Sequence, residues 1–203
     1  MISTQRYLVN YLELWSNIFV FNINQFSQMK IQKKKDNILY STDTAKVLLV
    51  FNAKRFDKEG INIYINKTKD PIVVEDALLI DSCGEYEDRN VMIQAVPAFG
   101  EDLIDLISMD NNGVNLVVVD SQTKVPNKKT LEQIGINNIL VFKETGGLGN
   151  LYDLIENYSP EFFIPVTDDA SFMEQIFKKY SIVPGEKLKN FSISQEELPS
   201  DEE

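Results

Sequence analysis

Short apolar runs separated by polar turns fill most of the chain between Met29 and Asp120. Such runs are typical of β-strands that are bounded by turn-forming residues. The run 116–119 is apolar at every position, so we expect a central strand that is covered on both faces. The predicted strands are residues 37–41, 46–51, 61–66, 77–81, 92–96 and 115–120.

Helical and strand patterns alternate in the rest of the chain. In the last predicted helix Phe172, Ile176 and Phe177 share one face, and Asp169 fits its N-cap. The first part of the chain contains predicted strands only, the second part alternates helices with strands, and no linker separates the two parts. This order predicts two sheets flanked by helices in one domain. Helices are predicted at residues 127–134, 149–158 and 170–180, and strands at 138–142 and 162–166.

The two ends of the chain differ from this middle part. Within residues 1–28, apolar residues recur at helical spacing over 7–19, which predicts an amphipathic helix that packs on the domain or on a partner. An interfacial membrane anchor and a non-native extension before Met29 are the alternatives, and the stretch is too short and polar to span a bilayer.

Residues 29–195 form the predicted domain, and 196–203 an acidic tail that we expect to be solvated and flexible.

Composition and charge exclude functions more than they assign one. The 203 residues include 20 lysines and arginines against 31 aspartates and glutamates, a net charge of −11 that opposes contact with nucleic acid. No histidine is present, which excludes Ser-His-Asp, Cys-His and histidine-based metal chemistry. The single cysteine, Cys83, fits a reducing, cytoplasmic compartment. We expect no nucleic acid and no membrane among the partners.

A motif in the middle of the chain resembles a family signature. Gly84, Glu85, Tyr86 and Glu87, with the strand after them, resemble a segment of small bacterial metallo-β-lactamase superfamily proteins similar to the ascorbate-phosphate lactonase branch, although Cys83 replaces a proline. The resemblance implies an α/β (α+β) fold, a four-layer αββα sandwich with metals at one edge between two sheets. Further matches follow in the family's order at residues 29–41, 130–142, 154–165 and 187–199.

The resemblance also implies a metal site, whose histidine ligands this chain lacks. The family uses an HxHxDH motif, two later histidines and a bridging aspartate to hold one or two metals. We therefore expect a catalytically degenerate protein without a cofactor, a pseudoenzyme that binds or scaffolds a protein partner or a second copy of itself. In register, the ligand positions fall at residues 66–70, where only Asp70 matches, at Phe99 or Gly100, at Ser121 or Asp120, and at Thr167.

Three aspartates are candidate ligands in an alternative interpretation. Mg²⁺ and Mn²⁺ accept carboxylate oxygens and do not require imidazole, so Asp70, Asp120 and Asp168 would form the metal site of a hydrolase. In the competing structural interpretation, Asp120 and Asp168 occupy turns and helix starts, where short polar side chains are favoured.

Three other features allow both a functional and a structural interpretation. Glu85 and Glu87 would share a face of an extended segment, either as an acid–base pair or as a solvated strand edge. The glycine-rich stretch 145–150 precedes a predicted helix, either as an anion site or as a tight turn. The lysines within 30–35 are expected in an edge hairpin, where they discourage aggregation or contact a phosphate.

Overall fold

Two sheets and three α-helices make up the part of the chain that the computed structural model describes, residues 7–8, 29–34, 37–51, 60–65, 77–97, 104–135, 137–183 and 190–198. The helices are α1 (Lys128–Ile134), α2 (Leu151–Tyr158) and α3 (Ala170–Tyr180), and a 3₁₀ turn covers Gln195–Glu197. The strands are β1 (Tyr7–Leu8), β2 (Met29–Lys34), β3 (Asn37–Ser41), β4 (Lys46–Val50), β5 (Ile61–Tyr64), β6 (Leu78–Ile80), β7 (Gly84–Asp88), β8 (Val91–Pro97), β9 (Ile104–Asn111), β10 (Val114–Asp120), β11 (Ile139–Lys143), β12 (Phe162–Val166) and β13 (Asn190–Ile193).

The first sheet has seven strands in the spatial order β1, β12, β11, β10, β9, β8, β7. Strands β10, β11 and β12 are parallel, so their carboxyl ends meet at one edge, whereas β7, β8 and β9 continue as antiparallel neighbours. The second sheet has six strands in the order β13, β2, β3, β4, β5, β6. The two sheets pack face to face, and most of the buried apolar side chains lie between them.

Strand β10 shows how the sequence pattern produces the layers. Leu116 and Val118 face the second sheet, and Val117 and Val119 face a separate core beneath the helices. All four side chains are buried, because alternate residues of a strand point to opposite faces and both faces are covered here. The prediction of a central, doubly covered strand is confirmed, since β10 is the fourth of the seven strands.

All three described helices pack on the outer face of the seven-stranded sheet. The Asp169 carboxylate caps α3 by accepting a hydrogen bond from the Ser171 amide at 2.8 Å, as predicted. Hydrogen bonds from Ser171 also hold the pKa of Asp169 below its usual value. None of the helices in the described ranges is long and apolar enough to cross a membrane.

The predicted helices and strands are confirmed where the local pattern is strong, and β12 and α3 have the predicted bounds. Strand β9 was not predicted, because Asp105, Ser108 and Asp110 interrupt its apolar residues. Strand β13 was also missed, since it contributes only four residues, at the edge of the second sheet. A strand that depends on its neighbours for pairing leaves a weak signal in its own sequence.

Tertiary pairing overrides two expectations from the sequence. Residues Tyr7–Leu8 form a strand parallel to β12, so the predicted helix is wrong at these positions, and residues 9–28 lie outside the described residues. The lysine-bearing strand β2 is not at an edge, because β13 pairs with it on one side and β3 on the other. At the start of the predicted tail, the 3₁₀ turn covers Gln195–Glu197 and Leu198 packs against the core between the sheets.

Tyr40 offers a test of the core between the sheets. Its side chain is buried, its hydroxyl has no hydrogen-bond partner among the described residues, and burial raises its pKa. A buried polar group without a partner costs free energy, so we expect Tyr40→Phe to raise the free energy of unfolding by about 1 kcal/mol in urea titrations. Tyr86→Phe is the matched control. It should lower the free energy of unfolding by about 1 kcal/mol, because the Tyr86 hydroxyl donates a hydrogen bond to the Ser82 carbonyl and the variant loses it. Equal losses in both variants would contradict this account.

Candidate functional site

The candidate site lies at the edge where the parallel strands end. Asp120 ends β10, Glu144 follows β11, and Thr167 and Asp168 follow β12. Folds with parallel strands place functional groups at such carboxyl ends. The second sheet contributes Lys33 of β2, whose ammonium contacts Asp168, so both sheets meet at this edge.

The ion pair between Lys33 and Asp168 joins the two sheets. The Lys33 ammonium donates a hydrogen bond to Asp168 Oδ1. The Lys33 side chain is 4% exposed and that of Asp168 is 75% exposed, so the cation is the buried partner. Lys33 follows the core residue Ile31 by two positions and therefore points inward between the sheets. This sequence-predicted aspartate is thus bound to a cation of its own chain.

Asp120 and Ser121 organise the turns at the end of β10. Asp120 Oδ1 accepts hydrogen bonds from the amides of Gln122 and Thr123 at 2.7 and 3.0 Å. Ser121 Oγ accepts one from the Thr145 amide at 3.0 Å and donates one to the carbonyl of residue 147 at 2.6 Å. Both positions at which the resemblance implies a bridging ligand therefore hold the local backbone in place.

Thr167 and Glu144 form a second hydrogen-bonded group beside Ser121. Thr167 Oγ1 accepts a hydrogen bond from the Asp169 amide at 2.9 Å and donates one to Glu144 Oε2 at 3.4 Å. Glu144 Oε1 accepts hydrogen bonds from the amides of Gly146 and Gly147 at 2.7 and 2.8 Å. A carboxylate of the chain itself therefore occupies these amides, where the functional interpretation of the glycine-rich stretch would place an anion.

The structure does not gather the predicted metal ligands into a cluster within the ranges that it describes. No group of three or more His, Cys, Asp or Glu side chains there could hold a metal ion. Asp70 lies outside the described residues, as do the other residues of 66–70 and the positions Phe99 and Gly100. Sequence reasoning missed Lys33 as the partner of Asp168. One signal was available in the sequence: Lys33 is at alternate spacing after Met29 and Ile31, so its side chain lies on the same face of the strand as theirs.

The signature motif forms β7 and has two different faces. The Tyr86 ring packs against the core between the sheets, and its hydroxyl donates to the Ser82 carbonyl at 2.9 Å. Gly84 lies beneath this ring, where an added Cβ would approach the Tyr86 hydroxyl oxygen at 3.4 Å. Glu85 and Glu87 are exposed on the opposite face, and neither side chain makes a hydrogen bond or an ion pair within the described chain.

A groove of about 220 Å³ lies on the outer face of β7, β8 and β9, beside the end of α1. Cross-strand pairing places Glu87 beside Met92, and Met92 beside Asp110. Met92 is an outward-facing apolar residue and is 61% exposed. Glu85 and Asp110 supply carboxylates to the lining, and the lining residues that the structure describes include no lysine or arginine.

Comparisons with known proteins identify the fold. None of the family models matches the chain, and no curated protein matches it significantly. Solved structures do match. A protein assigned as a zinc-dependent hydrolase of the metallo-β-lactamase superfamily from Thermotoga maritima superposes with a TM-score of 0.63 at 14% identity, over 82% of this chain and 93% of that one.

Two further structures share the architecture. The metallo-β-lactamase fold protein YhfI from Bacillus subtilis matches with a TM-score of 0.50 at 6% identity, over 82% of this chain and 100% of its own. A variant of the β-hydroxylase CmlA matches with a TM-score of 0.56 at 8% identity, over 85% of this chain and 55% of its own. At these identities the similarity concerns the fold. The chain has the metallo-β-lactamase fold, a mixed α and β sandwich, as expected.

Proposed function

We propose that this protein is a catalytically degenerate protein of the metallo-β-lactamase fold that binds or scaffolds another protein in the cytoplasm. The observation that carries the proposal is the buried Lys33 ammonium at the edge where the resemblance implies metals. Two unit charges about 4 Å apart interact by roughly 4 kcal/mol at the effective dielectric near a protein surface, so a lysine there opposes a dication.

The residues around Lys33 support the same proposal. Thr167, and Ser121 in one of the two registers that the resemblance allows, occupy positions of metal ligands, and the hydroxyl groups of both are engaged in hydrogen bonds within the chain. Neither is a preferred zinc ligand, and the chain has no histidine. These hydrogen bonds stabilise the turns of this edge.

A second candidate function is a hydrolase that uses Mg²⁺ or Mn²⁺. It is favoured by the placement of Asp120 and Asp168 at one edge, after two strands of the parallel set. Asp70 would have to supply the third carboxylate. In this case Asp120→Asn should abolish a metal-dependent activity while the melting temperature is preserved.

Metal content and turnover test the proposal directly. The chain should be purified with a tag that contains no histidine, since the protein itself has none and any tag histidine would bind metal. After dialysis we expect elemental analysis to find zinc, iron and manganese well below one ion per chain. We also expect no hydrolysis of phosphoesters, lactones or nucleotides, with or without added Mn²⁺. Stoichiometric metal that survives dialysis, or turnover lost in Asp120→Asn, would overturn the proposal.

A further inference from the structure

Strand β7 is the last strand at one end of the seven-stranded sheet. In the ranges that the structure describes, β7 pairs with β8 on one side and with no strand on the other. Within those ranges its outer main-chain N–H and C=O groups face no neighbouring strand, which is the arrangement that strand addition uses. Glu85 of β7 also lines the groove over β8 and β9, so a long side chain of an added strand can reach across β7 toward it.

The side chains beside this edge specify the charge of a partner. Glu85 and Glu87 point to the groove side at alternate positions, and Asp110 lies across Met92 from Glu87. A strand added next to β7 would place every second side chain opposite these glutamates. Lysine or arginine at those positions would form cross-strand pairs of opposite charge, and the exposed Met92 offers apolar contact to their stems.

The same charges oppose pairing with a second copy at this edge. Two β7 strands side by side would bring Glu85 and Glu87 of one copy close to the same residues of the other, and like charges opposite each other are destabilising. Charged edge strands are a known device against such self-association. A cationic extended segment of a different protein would instead meet charges of opposite sign at the same positions.

We propose that β7 and the groove on the outer face of β7, β8 and β9 form a docking surface for an extended, lysine- or arginine-rich segment of a partner protein. The segment adds to the sheet as a further strand, with its basic side chains facing Glu85 and Glu87. The inference rests on the proposed function, because it specifies the partner of a binding module.

The test uses a short synthetic peptide that alternates lysine and valine, with binding followed by fluorescence anisotropy. We expect the peptide to bind the intact chain. The double variant Glu85→Lys/Glu87→Lys should bind at least about tenfold more weakly, because two attractive pairs become repulsive. The matched control Glu156→Lys/Glu174→Lys makes the same charge change at exposed positions of α2 and α3 and should bind like the unmodified chain.

A second probe separates strand addition from simple charge attraction. The same peptide with N-methylated amides keeps its charges but cannot pair as a strand, so we expect its binding to be lost. No binding of either peptide, equal loss in both double variants, or equal binding of the methylated peptide would overturn the inference. The inference would also be overturned if sedimentation showed that the unmodified chain is a dimer and that Glu85→Lys/Glu87→Lys is a monomer.

These outcomes are distinguishable from failure of the proposed function. Peptide binding is measured without any metal or substrate, whereas the proposed function fails on metal content and turnover. A chain that binds the peptide and also hydrolyses a substrate would retain the docking surface and lose the proposed degeneracy. Unchanged melting temperatures of both double variants, expected for exposed side chains, would show that the variants are folded.

Discussion

Gly149→Ala will lower the free energy of unfolding by at least about 2 kcal/mol, the range expected for a strained backbone that cannot relax. Gly149 has φ +51, and a Cβ at this position would lie 1.9 Å from the Ser121 carbonyl oxygen and 2.8 Å from its carbonyl carbon. Both atoms belong to the backbone, so no side chain can rotate away to relieve the clash. Urea unfolding of the variant and the unmodified chain measures the loss.

The backbone around Gly149 cannot shift without breaking other contacts. Ser121 Oγ binds the amide of Thr145 and the carbonyl of Gly147, which fixes the turn against the end of β10. Asn150 adds a hydrogen bond from its side-chain amide to the Thr123 carbonyl at 3.1 Å. The clash is therefore between two segments that are each held in place at the candidate edge.

Gly135→Ala is the matched control for this prediction. Gly135 has φ +76, and nothing lies within 4 Å of an added Cβ, so the substitution introduces the backbone strain without the clash. We expect a smaller loss than in Gly149→Ala, from backbone strain alone, because φ +76 and ψ −153 lie in a region that essentially only glycine occupies and that costs other residues about 1–3 kcal/mol. Equal losses in Gly135→Ala and Gly149→Ala would show that the close approach to Ser121 contributes nothing.

The sequence predicts the local elements of this fold better than their pairing. Residues 162–166 and 170–180 have the predicted bounds, because an apolar run and a helical stripe are encoded in consecutive positions. The strand at Tyr7–Leu8 depends instead on the edge of β12, which lies far away in the sequence. Local pattern cannot specify which edge a short segment joins.

The candidate site, too, could be predicted from the sequence only in part. The carboxyl ends of β10 and β12 follow from the strand pattern, so Asp120 and Asp168 could be placed at one edge in advance. The partner of Asp168 could not, because Lys33 is separated from it by 135 positions. Lys33 lies on the same strand face as the apolar residues Met29 and Ile31, where a charged side chain is not expected. Such a local conflict indicates that a contact with a distant part of the chain determines which residue stands there.

Phe172→Ala will lower the free energy of unfolding by about 3–5 kcal/mol, as is typical for truncation of a fully buried phenylalanine. Phe172 is 1% exposed and stacks on Phe142 of β11, with ring centroids 5.7 Å apart. The ring anchors α3 on the seven-stranded sheet, and the truncation would leave a cavity that backbone shifts can fill only in part. Phe177→Ala on the same helix is the control and should cost less, because Phe177 is only partly buried.

Anchoring of α3 also determines where Asp168 lies, since this residue precedes the N-cap of the helix. Asp168→Asn alone should lower the free energy of unfolding, because it removes the counter-ion of Lys33, whose side chain is only 4% exposed, while the 75% exposure of the carboxylate limits the loss. If Phe172 holds Asp168 against Lys33, the effect of Asp168→Asn should become smaller in the Phe172→Ala background, a non-additivity that a double-mutant cycle measures. Additive effects would show that the ion pair forms independently of α3, and that β12 alone positions Asp168.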